Sequence, residues 1–505
     1  MNIDRFKCII DTVWHLRFKQ LFYQIKNRLI TPGFKLVSAP ESERTAFLHD
    51  PIEKLESFYP GYFIFLNKKS EFKSWDDISN GNLWCYNLNY MDWLGQEGMT
   101  EEDGGKWIDS FISSINKNKI GLDPYPMALR SINWVKFFSR FPESATIERE
   151  EVLYSQLFLL EKKLEYHLLG NHLLEDAFSL YIGAAYFNNK KLLKRAERLL
   201  EKELKEQVLP DGAHFEQSPM YHCILLDRLL DCINICPADY LISTACRMLG
   251  HLDSIVWKDG TIPLLNDSAN GIAPSPGQLF TYAGQLGLKW KPIPMKECGY
   301  RRFSSDHFEA IVDVGNITAS YQPGHSHADT FNYELRIDGT PFIVDTGIST
   351  YEKNTRRQYE RGTSAHNTVT VEDKDSSEVW GGFRVGRRAS VKIEGEGERW
   401  VTASHDGFGK RCKRSFALDS YGFSVEDSFS GAAISRIHIS HDCSLQKTEV
   451  GYIVNTPIAR LVIENAIDVI LEKANASVEY NRFYEVTVAV ISFNNVVKYF
   501  IYKNE

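Results

Sequence analysis

Three observations predict a multidomain α + β protein, with paired helices first and an antiparallel β-sandwich after them. The chain has 505 residues, about three times the ~150 of a single domain. Up to about residue 290 its apolar residues recur with a helical period, and from about residue 300 they alternate as in half-buried strands. Hydrophobic residues at 43% and charged residues at 25% exclude a mainly disordered, collagen-like or disulfide-scaffold chain. The net charge of -8 offers no overall basic field for nucleic acid.

The opening MNIDRFKCIIDTVWHLRFKQLFYQIKNRLI reads as a basic amphipathic helix. Asp4, Arg5, Asp11, His15 and Arg17 interrupt its apolar residues, so it lacks the unbroken stretch of a secretory signal. Packing against the rest of the chain is favoured for this helix over rest on a membrane surface. Residues 168 to 187 are apolar on most faces and predict a helix buried on several sides. Leu192, Leu193, Ala196, Leu199, Leu200, Leu204 and Val208 form one apolar stripe, which Pro210-Asp211-Gly212 stops. Helices over 218 to 236 and 238 to 257 continue the series, as antiparallel pairs that stack into a solenoid or close into a toroid. A linker is expected near 285 to 305.

Phe331, Tyr333, Leu335 and Ile337 alternate with Asn332, Glu334, Arg336 and Asp338, and Asp338-Gly339 turns the chain into an apolar run from Pro341 to Val344. That predicts a strand pair with one buried face. Strand-like segments recur at 367–372, 389–394, 399–404, 414–418, 421–426 and 485–502. The nine cysteines are scattered without a C-x-x-C pair and read as reduced thiols. No run approaches the ~18 to 20 apolar residues of a membrane span. The 24 Tyr and 10 Trp fit either a large aromatic core or rings that stack on sugars.

Four constellations carry candidate chemistry. In Gly324-His325-Ser326-His327-Ala328-Asp329, the two imidazoles project from one face of an extended backbone. VDTG at 344–347 and RGTSAHNT at 361–368 follow, so His327, Asp345 and His366 would supply a mixed nitrogen and oxygen set for zinc; histidines bonded to the sandwich backbone are the alternative. Asn171, His172 and Glu175 lie on one helix, with Asn171 and Glu175 on a shared face, where they cap a loop or line a cavity. DGAHFEQSPMYH at 211–222 delivers His214, Glu216, Gln217, Tyr221 and His222 to a helix start; the Tyr221 phenol transfers protons or simply packs. Arg130, Asn133 and Trp134, with Pro124-Tyr125-Pro126 before them, and Asn266-Asp267 each fit a carbohydrate subsite or loop-to-helix packing.

Taken together with LWCYNLNYMDWL at 83–94, LGNHLLEDAF at 169–178, DGTIPLLNDSANGIAP at 259–274 and GHSHADTFNYEL, these segments resemble the heparinase II/III family of polysaccharide lyases over most of the chain. The resemblance implies an incomplete (α/α) toroid, a β-sandwich and an active site in the cleft between them. It implies β-elimination at a uronic acid: a base takes the C5 proton, the C4 oxygen leaves, and an unsaturated sugar remains. The carboxylate must be neutralised for that carbon acid to react, as in an oxyanion hole. By resemblance Asn171, with His172 and Glu175 beside it, is the neutralising group, Tyr221 the proton-transferring phenol and His325 the second base or acid on the opposite side. Arg130, Asn133, Trp134, Gln217, His222, Asn266 and Arg361 are the candidate substrate contacts, with Arg130 or Arg361 as the cation that lowers the Tyr221 pKa. His327, Asp345 and His366 resemble the family's metal ligands, for one mainly structural zinc per chain.

The leading reading is a lyase acting on a uronic acid-containing polysaccharide, a bacterial surface glycan in preference to a glycosaminoglycan. A non-catalytic glycan-binding or assembly protein of the same fold is one alternative, and a hydrolase using Glu175 and Glu216 another. The expected domains are an N-terminal region over 1–90, the toroid over 91–295 and the sandwich over 300–505. The expected partner is an acidic polysaccharide, with no nucleic acid and no transmembrane segment; the oligomeric state is not legible. Without a recognisable signal peptide the expected location is cytoplasmic or at the membrane periphery, and the resemblance adds the periplasm.

Overall fold

The structure, a computed structural model, describes residues 3–504. Two amphipathic helices, α1 (Ile3–Trp14) and α2 (Phe18–Leu29), precede a small antiparallel meander of β1 (Phe58–Tyr59), β2 (Tyr62–Phe65) and β3 (Lys68–Ser70). The helical part then runs through α3 (Asn82–Tyr90), α4 (Glu101–Ser114), α5 (Pro124–Arg140), α6 (Ile147–Lys163) and α7 (Gly170–Tyr186). It continues with α8 (Lys190–Gln207), α9 (Pro219–Ile235), α10 (Asp239–Ile255) and α11 (Pro276–Gln285). Their starts follow capping chemistry: Thr100, Thr146, Ser218 and Ser275 each accept the backbone N–H three residues on. Proline opens α5, α9 and α11, where its missing N–H costs nothing.

Every residue of α7 except His172 is buried, as its all-round apolar sequence predicts. In α8 the inward stripe is Leu192, Ala196, Leu200 and Leu204. Trp84, Trp93, Trp134 and Trp257 are fully buried, and Phe63, Trp93 and Trp107 meet edge to face with centroids 5.2 to 5.8 Å apart. Most of the tryptophan content therefore builds the helical core.

The second part is a large antiparallel sheet. Its first strands are β4 (Tyr300–Ser304), β5 (Phe308–Asp313), β6 (Tyr333–Ile337) and β7 (Thr340–Ile343), followed by helix α12 (Thr355–Arg361), β8 (Val369–Thr370), β9 (Val379–Trp380) and β10 (Arg384–Val385). Then come β11 (Val391–Gly397), β12 (Trp400–His405), β13 (Cys412–Leu418), β14 (Phe423–Ile439), β15 (Ser444–Lys447), β16 (Gly451–Asn455), β17 (Ala459–Glu479) and β18 (Arg482–Lys503). All but β9 and β10 join one network of thirteen strands, with β14 pairing β7, β8, β13 and β18. The β14–β18 register runs from Phe423 opposite Ile501 to Ile439 opposite Thr487, with a bulge in β14 between Phe429 and Ala432, a feature that bends the bulged strand.

Asp338 and Gly339 turn β6 into β7 with φ of 48° and 78°, the two left-handed residues a tight hairpin needs. The expectation of one buried face there is corrected: all five residues of β6 are buried. Its polar side meets the helical part, where Glu334 accepts the Leu264 N–H at 2.7 Å and Arg336 donates to the Thr261 hydroxyl at 2.8 Å. Strand β17, 21 residues long, was missed from sequence because Glu464, Asp468, Glu472 and Lys473 interrupt its apolar residues and much of it is exposed on one face.

Candidate active site

A cleft of about 1480 Å³ is lined by residues from both parts of the chain. Tyr90, Tyr125, Asn133, Asn171, His172 and Tyr221 come from the helices, and His325, Tyr351, Phe383 and Tyr480 from the sheet part. It exceeds the ~300 to 1,000 Å³ of ordinary small-molecule pockets, a size suited to several joined sugars.

The centre of the cleft is built on unusual backbone. Leu169 and Gly170 both take left-handed conformations, with φ of 63° and 58°, which turns the chain so that Asn171 occupies the first turn of α7. A side chain at 170 would put a Cβ 2.5 Å from Glu216 Oε1. That close approach lets the Glu216 carboxylate sit against the positive end of α7. It accepts the Asn171 backbone N–H at 2.8 Å and the side-chain amide at 2.9 Å.

Asn171 Nδ2 also lies 3.2 Å from His325 Nε2, while His325 Nδ1 lies 2.9 Å from Asp267 Oδ2. An ionised carboxylate only accepts, so Nδ1 carries the proton and Nε2 is the acceptor. Asp267 also takes His327 Nε2 at 2.8 Å and the Arg357 guanidinium at 2.7 Å. The two imidazoles predicted to share one face thus converge on one carboxylate. Burial alone would raise the Asp267 pKa, but Arg357 and the hydrogen bonds from both histidines hold it well below the ordinary carboxylate range.

The Tyr221 ring lies on the His325 ring, centroids 3.9 Å apart and tilted by 31°. The Tyr351 hydroxyl donates to the Tyr221 hydroxyl at 3.3 Å and lies 3.4 Å from His325 Nδ1. Burial pushes the Tyr221 phenol well above its ordinary value, against the opposing effects of the Tyr351 hydrogen bond and of Arg357, so it carries its proton at neutral pH. The expectation that Tyr221 and His325 stand on opposite sides of the substrate is corrected. Their rings are in contact, and both approach the cleft from one side.

Several other predicted contacts lie outside the cleft. Arg130 is buried, with hydrogen bonds to Gln156 and to the carbonyls of Asn89 and Gly121, and its guanidinium sits 4.0 Å from the Phe111 ring centroid. Trp134 is packed in the core with its indole N–H on Met91. Gln217 joins the two parts by donating to the carbonyls of Cys298 and Asn316. His222 is held between the Met248 carbonyl and the His214 N–H, and burial pushes its pKa down to about 3. Asn266 bonds Tyr300 and the backbone of Gln217 and His327. Arg361 is buried against the Ser326 carbonyl at 2.8 Å, pinning the loop that carries His325. Neither Arg130 nor Arg361 is the cation near Tyr221; Arg357 is.

Asn133 does line the cleft, its amide bonded to the Tyr90 carbonyl at 2.9 Å. His172 lines it too, its ring 4.7 Å from Tyr125 and Nδ1 3.0 Å from Glu165. Glu175, one turn deeper, is fully buried behind Arg228 at 3.5 Å and does not share the cleft with Asn171. Burial raises its pKa from 4.5 to about 7, with Arg228 opposing. The folded protein therefore holds this proton at pH values where the unfolded chain has released it, so the associated stability is full below about 4.5 and is lost as pH rises through about 7. Glu175→Gln is expected to melt progressively higher relative to the parent between pH 4.5 and 7 and to level off above. A pH-independent difference in Tm would contradict this.

The predicted metal set is also brought together. The His327 and His366 rings are 5.3 Å apart, and His366 Nδ1 meets Asp345 Oδ2 at 2.7 Å. His327 Nδ1 and His366 Nε2 are buried without hydrogen-bond partners, a state that a metal would relieve, so the residues fit a zinc site by donor type. Their donor atoms are not gathered as tightly as in a second trio. Among the described residues, Asp211, His251 and Cys298 alone offer donors all within 4.8 Å of one another.

Sequence reasoning missed Arg357, Tyr351, Arg228 and Arg388. Arg228 lies on the cleft wall beside Asp227 and Glu175. Arg388 also lines the cleft; its Nε has no partner, and burial lowers its pKa to about 10. Neither these arginines nor Tyr351 stand in a spacing pattern that could have marked them.

Models of two families match the chain: heparinase II/III N-terminus over residues 88–273, and heparinase II/III-like, C-terminal over 288–499. A heparin-sulfate lyase of Pedobacter heparinus is 24% identical over 424 residues, covering 70% of this chain and 63% of that protein. A heparin-sulfate lyase of Bacteroides stercoris is 22% identical over 338 residues, covering 57% of this chain and 49% of that protein. The chain thus spans about half to two thirds of the length of these curated relatives. The crystal structure of a heparan sulfate lyase mutant from Pedobacter heparinus matches with a TM-score of 0.58 at 18% identity, covering 96% of this chain and 88% of that one. That likeness establishes a fold with a helical N-terminal part and a large antiparallel sheet.

Proposed function

This chain belongs to the heparinase II/III family, and from that premise we propose that it is a carbon–oxygen lyase cleaving a uronic acid-containing polysaccharide by β-elimination. The observation that carries the proposal is the contact of Tyr221 with His325, beside Asn171, in a cleft large enough for several sugars. In this reading the substrate carboxylate sits at Asn171, with Arg228 and Arg388 among the cations that line the cleft.

His325 Nε2 takes the C5 proton. The C4–O bond breaks as the C4–C5 double bond forms, and Tyr221 gives its phenolic proton to the departing oxygen. The Tyr351 hydroxyl, bonded to the Tyr221 oxygen at 3.3 Å, steadies the phenolate that forms; once product leaves, solvent takes the proton from His325 Nε2 and returns one to Tyr221, which resets the site. Because both proton carriers act from one side, the elimination is syn. A syn elimination needs the C5 hydrogen and C4 oxygen on the same ring face, which is the D-gluco arrangement of a uronate.

The hydrolase alternative is disfavoured, because Glu175 is buried away from the cleft and cannot flank a glycosidic bond with Glu216. The finer architecture we propose is an incomplete (α/α) toroid for the helical part and a β-sandwich for the sheet. The curated relatives are named for heparin sulfate, and a bacterial surface glycan remains the preferred substrate class. A near-ultraviolet screen over acidic polysaccharides, with glycosaminoglycans, capsules and O-antigens included, is expected to detect unsaturated ends on at least one. Tight binding of an intact polymer without new chain ends would favour a glycan-binding protein instead.

We also propose one zinc per chain at His327, Asp345 and His366. Zinc there would tie the loop carrying His325 to the sheet, in a structural role. Metal analysis of protein purified without chelator is expected to find about one equivalent of zinc, lost in His327→Ala and kept in Cys298→Ser. The reverse pattern would move the site to the Asp211 trio, and no zinc at all would overturn the assignment.

A further inference from the structure

We propose that α1 and α2 form a docking surface for an anionic phospholipid membrane, on the rim of the cleft. Each helix has an inner and an outer face. On the inner side of α1, Cys8 is buried and the Thr12 hydroxyl accepts the Trp380 indole N–H at 3.0 Å. On the inner side of α2, Gln20 is buried and donates to the carbonyls of Leu168 at 3.0 Å and Tyr321 at 3.1 Å. Arg17, just before α2, lies over the Tyr321 ring at 3.8 Å. The preference for packing over membrane contact is therefore met on one face only.

The outer face is apolar and open. Phe18, Phe22, Ile25 and Leu29 are all exposed, and their spacing of four, three and four residues makes one stripe along α2. On α1, Ile10 and Trp14 are exposed as well, and Trp14, Phe18 and Leu29 are 85%, 82% and 79% exposed. A contiguous apolar patch of this kind marks an interaction site. Its charge selects the partner. Residues 1 to 30 carry Arg5, Lys7, Arg17, Lys19, Lys26 and Arg28 against Asp4 and Asp11, in a chain whose net charge is -8. Apolar and aromatic side chains flanked by excess lysine and arginine suit the boundary between acidic headgroups and acyl chains. A second copy meeting it through the same face would set like charge against like charge.

The placement gives the surface a use. Ile9, Val13, Leu16 and Gln24 from the same two helices line the cleft, so a docked protein holds its cleft at the lipid surface, where a membrane-borne glycan would enter. That use rests on the lyase reading; the docking does not.

Flotation of the full chain with vesicles tests the proposal. Binding is expected to phosphatidylcholine vesicles containing phosphatidylglycerol, weaker by about tenfold or more on phosphatidylcholine alone and reduced by added salt. Trp14→Glu combined with Phe18→Glu and Leu29→Glu should abolish flotation while leaving Tm and product formation from a soluble glycan unchanged, because these side chains lie outside the core and the cleft. Absence of flotation on acidic vesicles, equal flotation of the triple variant, or a dimer in sedimentation that the triple variant dissolves would each overturn the proposal. The product assay separates such a failure from failure of the lyase reading.

Discussion

Tyr221→Phe is expected to keep the fold and lose the activity. The substitution removes one hydroxyl and leaves the ring on His325, 3.9 Å between centroids. The lost hydrogen bond with Tyr351 at 3.3 Å is worth about 1 kcal/mol of stability, a small shift in Tm. The chemical cost is far larger, because the leaving C4 oxygen loses its proton donor. Loss of a positioned general acid lowers turnover by about 10² to 10⁴. The rate of unsaturated product formation, measured beside Tm, separates the two effects. Full activity in the variant would remove Tyr221 from the mechanism.

Asp267→Asn is expected to damage both fold and function. Asp267 is the one carboxylate that meets His325, His327 and Arg357 together, and both it and Arg357 have no exposed surface. An asparagine keeps the shape and removes the charge, which leaves a buried guanidinium unpaired. Breaking a buried pair in this way costs about 3 to 5 kcal/mol. It also removes the acceptor that fixes the His325 tautomer, so activity should fall even in the fraction that stays folded. Adding Arg357→Gln removes the orphaned charge and should recover part of the stability but not the activity. An unchanged Tm in Asp267→Asn would mean that Arg357 finds another partner and that this carboxylate is not the anchor of the site.

The sequence made the groups with a local signature legible. Asn171, Tyr221 and His325 stand in runs whose residue types and spacing point to a site, and the structure brings these three side chains to one cleft. The neighbours of those groups were harder to sort. In α5 every residue from Pro126 to Phe138 is buried, so helical period cannot tell which of them faces the cleft; Asn133 does, while Arg130 and Trp134 do not. The same holds in α7, where Glu175 shares a face with Asn171 but lies a turn deeper, behind Arg228.

Long-range partners left no trace at all. Arg357 sits on a seven-residue helix, 90 positions from the Asp267 it binds, beside two other arginines of the same short helix, Arg356 and Arg361. Nothing in the residue type distinguishes the one that enters the site. The opposite-side placement of Tyr221 and His325 failed for a related reason, since residues from separate domains need not face each other across the cleft. Here the loop at 324–327 folds down until His325 rests on the tyrosine.

The most direct test of the central claim is a product assay on two matched acidic polysaccharides, one with D-glucuronate at the cleaved residue and one with its C5 epimer. Transfer of both protons from one side predicts 4,5-unsaturated products from the glucuronate polymer and none from the epimer. Saturated products carrying solvent oxygen, or equal cleavage of both polymers, would contradict it.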